Sequence, residues 1–289
     1  MIITQLMGGL GNQMFQYAVG RRLAHRWGTP LKLDTSFYAT QSLRSYGLGY
    51  FNIEEHFAMP AEVARMQGRY PYRMQRVIHR FVERHKPYYR RRFITEQSTL
   101  FDANILQAPR DTCLRGYWQT DRYFVDIADL LQREFTLRYP LSDCCQRLQN
   151  RIAAVNAVCV HVRRGDYAMN PGIHALCGLD YYTHAIALLL TKIHDAQLFV
   201  FTDDPAWVKA HLRFPLHTTV IEPQSLPCDY EDLHLMSCCK HFIIANSTFS
   251  WWGAWLATNL NKVVIAPARW FVSEAHDTRD LLPDAWYMI

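Results

Sequence analysis

Nowhere in the chain does an uninterrupted apolar run approach the roughly 18 to 20 residues that cross a bilayer. The longest aromatic-rich stretch, Phe249 to Leu256, is far too short. The protein is therefore expected to be soluble or peripheral to a membrane, and a cytoplasmic location is the corresponding expectation. No CxxC pair occurs among the eight cysteines; Cys144-Cys145 and Cys238-Cys239 are adjacent doublets, and Cys113, Cys159, Cys177 and Cys228 are scattered. That spacing excludes both a disulfide framework and a zinc-ribbon site, leaving reduced, mostly buried thiols. Repeats and low-complexity segments are absent too. Charge of one sign is scarce overall: 31 Lys and Arg stand against 26 Asp and Glu, a net +5 that implies no polyanionic partner without a local concentration.

What is present is ordinary globular material, 289 residues of which 49% are hydrophobic, enough for about two domains. Met1 to Leu6 reads as a strand running straight into Gly8, Gly9 and Gly11, so no signal peptide is expected there. A helix from about Gln13 to Trp27 follows, ended by Gly28 and Pro30, and then a strand over Leu31 to Leu33. This is a βαβ start. A less regular middle from Ser36 to Arg115 gives way to a helix through Arg122 to Phe135, and Tyr139-Pro140-Leu141-Ser142 marks a boundary. The division expected is residues 1–140 and 141–289.

Beyond that boundary, strands are expected at Ala157 to Val162, Gln197 to Phe201, His241 to Ala245 and Lys262 to Ala266, alternating with helical patterns, which predicts a parallel α/β sheet. The first three end in polar clusters: Arg163-Arg164-Gly165-Asp166-Tyr167, Thr202-Asp203-Asp204, and Asn246-Ser247-Thr248-Phe249-Ser250. Open parallel sheets bind ligands beyond the carboxyl ends of their strands, so the three clusters converge on one crevice if the strands share a sheet. Paired guanidinium groups at Arg163 and Arg164 match phosphate oxygens bidentately. Ser247, Thr248 and Ser250 add hydroxyl and amide donors at a helix start entered through Trp251 and Trp252, where the dipole favours an anion. Both features suit a diphosphate. A carboxylate at Asp203 or Asp204 can accept two hydrogen bonds from the guanine edge, although Asp203-Asp204-Pro205 is equally a helix start signal. His161, at a strand end, reads by itself as a packed core histidine, and Trp251, Trp252 and Trp255, at helical spacing, read as core. No further carboxylate with suitable spacing joins the acidic pair, so no metal site is expected.

The loop Gly8-Gly9-Leu10-Gly11-Asn12-Gln13 is neither GxGxxG, since Met14 stands where glycine is required, nor a P-loop, since no Gly-Lys-Ser/Thr follows. Taken with the other clusters it completes a set. Gly8 to Tyr17, His161-Val-Arg-Arg-Gly-Asp-Tyr167, Phe201-Thr-Asp-Asp204 and Asn246-Ser-Thr-Phe-Ser-Trp-Trp-Gly-Ala254 together resemble the α-1,2-fucosyltransferases that use GDP-fucose, and the resemblance runs from residue 2 to about 267. It implies two Rossmann-like domains facing a cleft (the GT-B class), inversion at the anomeric carbon, no metal or other cofactor, and transfer to the 2-hydroxyl of a terminal galactose. It also implies that Arg163 holds the β-phosphate, that His161 and one of Asp203 and Asp204 approach the guanine, and that Ser247, Thr248 and Phe249 line the phosphate and nucleoside pocket. From the N-terminal domain, Gly9, Gly11 and Asn12 would close on the diphosphate or fucose. Asp166 is the candidate base for the acceptor hydroxyl, or else a buttress for the arginines. The acceptor itself, an oligosaccharide or a lipid-linked glycan, is not specified by any motif.

One stretch stands outside this scheme. Between Arg65 and Arg92, ten Arg or Lys face the single acid Glu83, a local +9. Arg65, Arg69, Arg73, Arg76, Arg80 and Arg84 recur at helical spacing, with Met74, Val77, Ile78 and Phe81 on another face and Pro71 breaking or beginning the helix. A solvated face, attraction to an anionic membrane or lipid-diphosphate acceptor, and nucleic-acid binding helped by Tyr70, Tyr72, Tyr88 and Tyr89 are the alternatives. The last leaves the Arg-Arg-Gly-Asp and Ser-Thr clusters without a role, so no nucleic-acid partner is expected.

Overall fold

In the computed structural model, which describes residues 1–40, 43–165, 175–222, 229–273 and 277–289, the chain divides into two compact units. One comprises 1–138 with 277–281, the other 139–276 with 282–289. The sequence-based division assigns everything after 140 to one domain, whereas Asp277–Leu281 packs with the first unit. Specific polar contacts hold it there: the Asp280 carboxylate accepts from Arg122 at 2.6 Å and from the Phe101 amide at 2.9 Å, and the Thr99 hydroxyl donates to the Asp277 carbonyl at 2.6 Å.

The first unit opens with β1 (Ile2–Gln5), α1 (Leu10–Trp27) and β2 (Leu31–Asp34), with β1 and β2 parallel in the register Ile2↔Leu31 to Gln5↔Asp34. Gly28 ends α1 in the left-handed region at φ 53°, where its amide and that of Thr29 return to the His25 and Ala24 carbonyls. Then come α2 (Pro60–Met66), α3 (Arg73–Arg84), β3 (Phe93–Thr95), β4 (Thr112–Arg115) and α4 (Ala128–Glu134). The parallel sheet has the order β2-β1-β4-β3. So the stretch read as irregular contains two strands, short ones set in Arg-, Tyr- and Pro-rich sequence. Of the helix expected over 122–135, α4 forms the second half, and the first half is two 3₁₀ turns, Asp121–Tyr123 and Val125–Ile127. Tyr17 is fully buried in α1 and donates to Glu134 of α4 at 2.8 Å, while Arg21 reaches the other carboxylate oxygen at 2.8 Å. The buried acid is thus satisfied on both oxygens.

The second unit runs α5 (Asp143–Ala153), β5 (Asn156–Val162), α6 (Leu179–Leu190), β6 (Ala196–Thr202), α7 (Pro205–His211), β7 (Thr218–Ile221), α8 (Asp229–Ser237), β8 (His241–Ile243), α9 (Thr248–Leu256), β9 (Val264–Ala266) and β10 (Tyr287–Met288). Its sheet is parallel, in the order β10-β9-β8-β5-β6-β7. Val158, Val160 and Val162 of β5 pack with Leu198 and Val200 of β6 and Leu189 of α6, while Cys159 and Phe199, of opposite parity, are buried too. Burial on both faces is why these strands read as continuous apolar runs. Trp251 and Trp252 are fully buried core residues of α9 and cluster with the half-buried Trp255 and Trp286. No disulfide joins the described cysteines, and Cys113, Cys159, Cys177 and Cys239 are buried thiols. Among the described residues no helix is long and apolar enough to cross a membrane.

Candidate active site

From β5 the second sheet grows outward in two directions, through β6 and β7 on one side and through β8, β9 and β10 on the other. The strand order therefore reverses between β5 and β8, the position at which open α/β sheets bind their ligands. Arg163 and Arg164 leave the carboxyl end of β5 there, Asp203 and Asp204 that of β6, and Asn246 to Thr248 that of β8. The convergence expected from the sequence exists.

Four of the candidate donor-site residues are engaged within the chain, Asp204 as the helix cap and His161 as the packed core histidine that their positions alone allow. The Asp203 carboxylate accepts from the Arg164 amide at 2.8 Å, the Gly165 amide at 3.1 Å and the Arg163 guanidinium at 3.0 Å. Three of about four acceptor positions are used, so Asp203 is the buttress of the arginine turn and presents no free bidentate edge to a base. The same contact explains Gly165, where a Cβ would fall 2.8 Å from the Asp203 carboxylate. Asp204 caps α7 by accepting from the Trp207 amide at 3.0 Å, with Pro205 in the first turn. His161 is 4% exposed; burial, together with the neighbouring Arg163 charge, pushes its imidazole down to about 3. Held neutral, its Nδ1 meets the Ser250 hydroxyl at 2.8 Å, which makes His161 part of the frame that fixes α9. Asn246, 2% exposed, donates to the carbonyls of Ala175 at 2.5 Å and Trp270 at 2.9 Å. It ties two chain segments to the end of β8 and is structural. Asp166 lies outside the described residues.

The remaining groups form a cradle for an anion. Ser247 caps α9, accepting from the Phe249 amide at 3.4 Å, and Thr248 and Phe249 are half-buried at the first turn. α9 contains no acid in that turn, so its positive end is uncompensated from within. The Arg163 side chain, 23% exposed and steered by Asp203, supplies the full positive charge. Arg164 is set differently: its guanidinium lies 3.9 Å from the Trp207 ring, which is itself stacked on His211. Cation–π stacking orients the Arg164 plane. Trp207 was not identified from the sequence, though an aromatic one turn into a capped helix is the available signal.

The first unit carries a second switch point, between β1 and β4, and the glycine loop occupies it. Gly8 has φ +78°, and a Cβ there would fall 2.6 Å from Asn12 Nδ2. Glycine is required. Gly9 caps α1 without a side-chain acceptor, Gly11 is buried in its first turn, and no acid lies nearby in the helix. The Asn12 side-chain oxygen Oδ1 accepts from Gln119 Nε2 at 2.9 Å. Arg44 lies 3.9 Å from where a Gly9 side chain would begin, placing a cation at the same helix end. Sequence reasoning missed Arg44 and Gln119, and also the residues that hold the loop. Gln16 pairs with both backbone groups of Met7, at 2.9 and 3.3 Å. Gln13 spans from the Gly8 carbonyl to Ser45 and Gly47. The Tyr38 hydroxyl donates to the Gly8 carbonyl at 2.9 Å, and Glu96 accepts from the Tyr117 and Trp118 amides at 2.7 and 2.9 Å, shaping the loop that presents Gln119. Two glutamines on one face of a buried helix were the legible signal, since buried amides must find backbone partners. Among the described residues no three His, Cys, Asp or Glu side chains cluster as metal ligands would.

The sequence profile of glycosyl transferase family 11 matches residues 88–289. The chain belongs to glycosyl transferase family 11. This family 11 glycosyltransferase is 33% identical, over all of its length and 98% of the relative's, to a protein of Escherichia coli named α-1,2-colitosyltransferase. It is 27% identical over 157 residues to the galactoside 2-α-L-fucosyltransferase of Caenorhabditis elegans, a match covering 51% of this chain and 43% of that protein. Among solved structures, Arabidopsis thaliana FUT1 in complex with GDP aligns with a TM-score of 0.54 at 10% identity, covering 98% of this chain and 74% of that one. At that identity the likeness is one of fold, an α/β fold of parallel sheets.

Proposed function

We propose that this family 11 enzyme is an inverting glycosyltransferase of the GT-B type that moves L-fucose from GDP-β-L-fucose to the 2-hydroxyl of a terminal galactose, forming an α-1,2 linkage without a metal ion. The observation that carries the reading is Arg163, fixed by Asp203 at the β5/β8 switch point next to the Ser247-capped start of α9. In the transfer, the acceptor oxygen forms a bond to the anomeric carbon as the bond from that carbon to the β-phosphate oxygen breaks and GDP leaves with the electron pair. Negative charge grows on the β-phosphate while the sugar becomes oxocarbenium-like, so an arginine oriented in advance favours the transition state over the ground state. Attack from the face opposite GDP converts the β-linked donor into an α-linked product. The acceptor proton must leave in the same event. Asp166, three residues after Arg163 in the sequence, is our candidate for the base that takes it.

Calorimetric titration in EDTA with GDP-fucose, GDP, UDP and ADP, wild type beside Arg163→Ala, tests the donor part. Guanine-selective binding that survives EDTA and is lost in Arg163→Ala is the expected result. Binding without base preference, or undiminished in the variant, would overturn it. A second reading, the same α-1,2 transfer from another GDP-linked deoxysugar, is favoured by the full-length relative named for colitose. Donor competition, with the product linkage read by NMR, separates the two.

A further inference from the structure

The basic stretch that the donor site leaves unused is built in the structure as a surface with two distinct faces. α2 and α3 are separated by Gly68, at φ +74°, and by Pro71, so the arginines do not lie on one continuous helix. α3 buries none of its residues. Met74, Val77, Ile78 and Phe81 are 55 to 69% exposed, and Val82 and the preceding Tyr72 are also open. On a helical projection Met74, Val77, Ile78, Phe81 and Val82 form one arc, and Arg73, Arg76, Arg80 and Arg84 form the arc beside it. A third face attaches α3 to its unit: the His79 ring lies 5.4 Å from Tyr70, and a Cβ at Gly68 would fall 2.4 Å from His79 Nδ1. The apolar arc is left outward. Against the arginine arc lies an open depression of about 1120 Å³, bordered by Arg65, Arg69, Arg76, Arg80, Arg84 and Arg91. Its one acid, Glu83, is engaged by Lys86 at 2.6 Å and by the Arg92 amide at 2.7 Å. The local +9 exceeds the whole-chain +5, which leaves the rest of the chain net acidic.

We propose that α3 and the arginine-bordered depression beside it dock this enzyme on an anionic lipid bilayer. Exposed apolar side chains in a contiguous patch need a nonaqueous partner. A helix that combines such an arc with flanking arginines lies in the plane of the interface, its apolar arc among the acyl chains and its guanidinium groups on lipid phosphates. The six arginines round the depression choose the charge of that surface, since guanidinium matches phosphate oxygens bidentately. Nothing in this argument depends on the donor, so it stands or falls separately from the proposed reaction.

The test is vesicle flotation of the full chain. Vesicles of phosphatidylcholine alone are compared with vesicles carrying about one third phosphatidylglycerol, for wild type, Ile78→Glu/Phe81→Glu and Arg76→Gln/Arg80→Gln. Wild type is expected to partition about 10-fold better onto the anionic vesicles, and each double variant to lose about 10-fold. GDP binding and thermal unfolding should be unchanged in both variants, because the altered side chains lie on the surface of α3. Three outcomes would overturn the proposal: equal recovery beneath all vesicles, equal binding to neutral and anionic vesicles, or a concentration-dependent dimer abolished by Ile78→Glu/Phe81→Glu in place of lipid binding. Salt-sensitive binding to RNA with no vesicle binding would overturn it as well.

Discussion

The Asp203 carboxylate has two possible uses, and Asp203→Asn separates them. In the structure it accepts from Arg163, the Arg164 amide and the Gly165 amide, with the Arg163 and Asp203 side chains 23 and 22% exposed. Asparagine keeps one acceptor oxygen and turns an NH₂ group towards donors. One or two charge-assisted bonds are lost, each worth about 1.5 to 3 kcal/mol before water replaces part of them. A loss of about 2 kcal/mol in unfolding free energy is expected, read by urea titration. The larger consequence is in the rate. A transition-state donor that is no longer held in place costs about 10²-fold in kcat, or about 2.7 kcal/mol. Base selectivity is the discriminating readout. If Asp203 only steers Arg163, affinities for GDP and ADP fall together and their ratio is kept. If the GDP-to-ADP ratio instead collapses towards one while kcat with saturating donor is retained, Asp203 reads guanine and the buttress assignment is wrong.

Gly8→Ala should destabilise by about 1 to 3 kcal/mol and raise the donor KM, because alanine at φ +78° is strained and its Cβ would displace Asn12; unchanged melting and KM would refute the close approach. Asn246→Ala should cost about 1 to 3 kcal/mol of stability in urea titration, since it takes the side-chain donor from the Ala175 carbonyl and one of two donors from the Trp270 carbonyl; a selective loss of GDP binding at normal stability would restore Asn246 to the ligand. Burial, with Asp229 and Glu231 alongside, pushes Asp232 up to about 6 from 3.8. The folded chain keeps that proton to higher pH than the unfolded chain, so stability is lost as pH rises from about 4 to 6. Asp232→Asn should therefore gain about 1 to 2 kcal/mol at pH 7, with the gain vanishing near pH 4; a pH-independent difference would contradict the assignment.

The second unit was the more legible in the sequence, for a physical reason. Strands buried on both faces, such as β5 and β6, read as unbroken apolar runs, and their polar exits stand out against them. β3 and β4 stand in Arg-, Tyr- and Pro-rich sequence with no long apolar run to mark them, and the polar contacts of Arg122 and Glu96 that organise this region are long-range. At the site, residue type indicated charge and position but not who holds whom. An aspartate at the end of the neighbouring strand was equally able to read a base or to steer an arginine, and the 2.8 to 3.1 Å contacts to the turn after β5 favour the second. His161 and Asn246 show the same ambiguity: polar residues at strand ends serve the ligand or the frame, and burial assigned both to the frame.

The short segment Asp277–Leu281 has a consequence for how the molecule is made. It belongs to the first unit, yet it follows nearly the whole of the second unit in the chain. On a ribosome, the glycine loop, α1 and most of the first sheet emerge early, but the Asp280 carboxylate that engages Arg122 and the Phe101 amide arrives only after most of the second unit has been made. The N-terminal unit must wait, incomplete, while its neighbour is translated. No single cut of the polypeptide releases it whole, and a fragment ending at Arg138 would carry an Arg122 and a Phe101 amide deprived of their native acceptor.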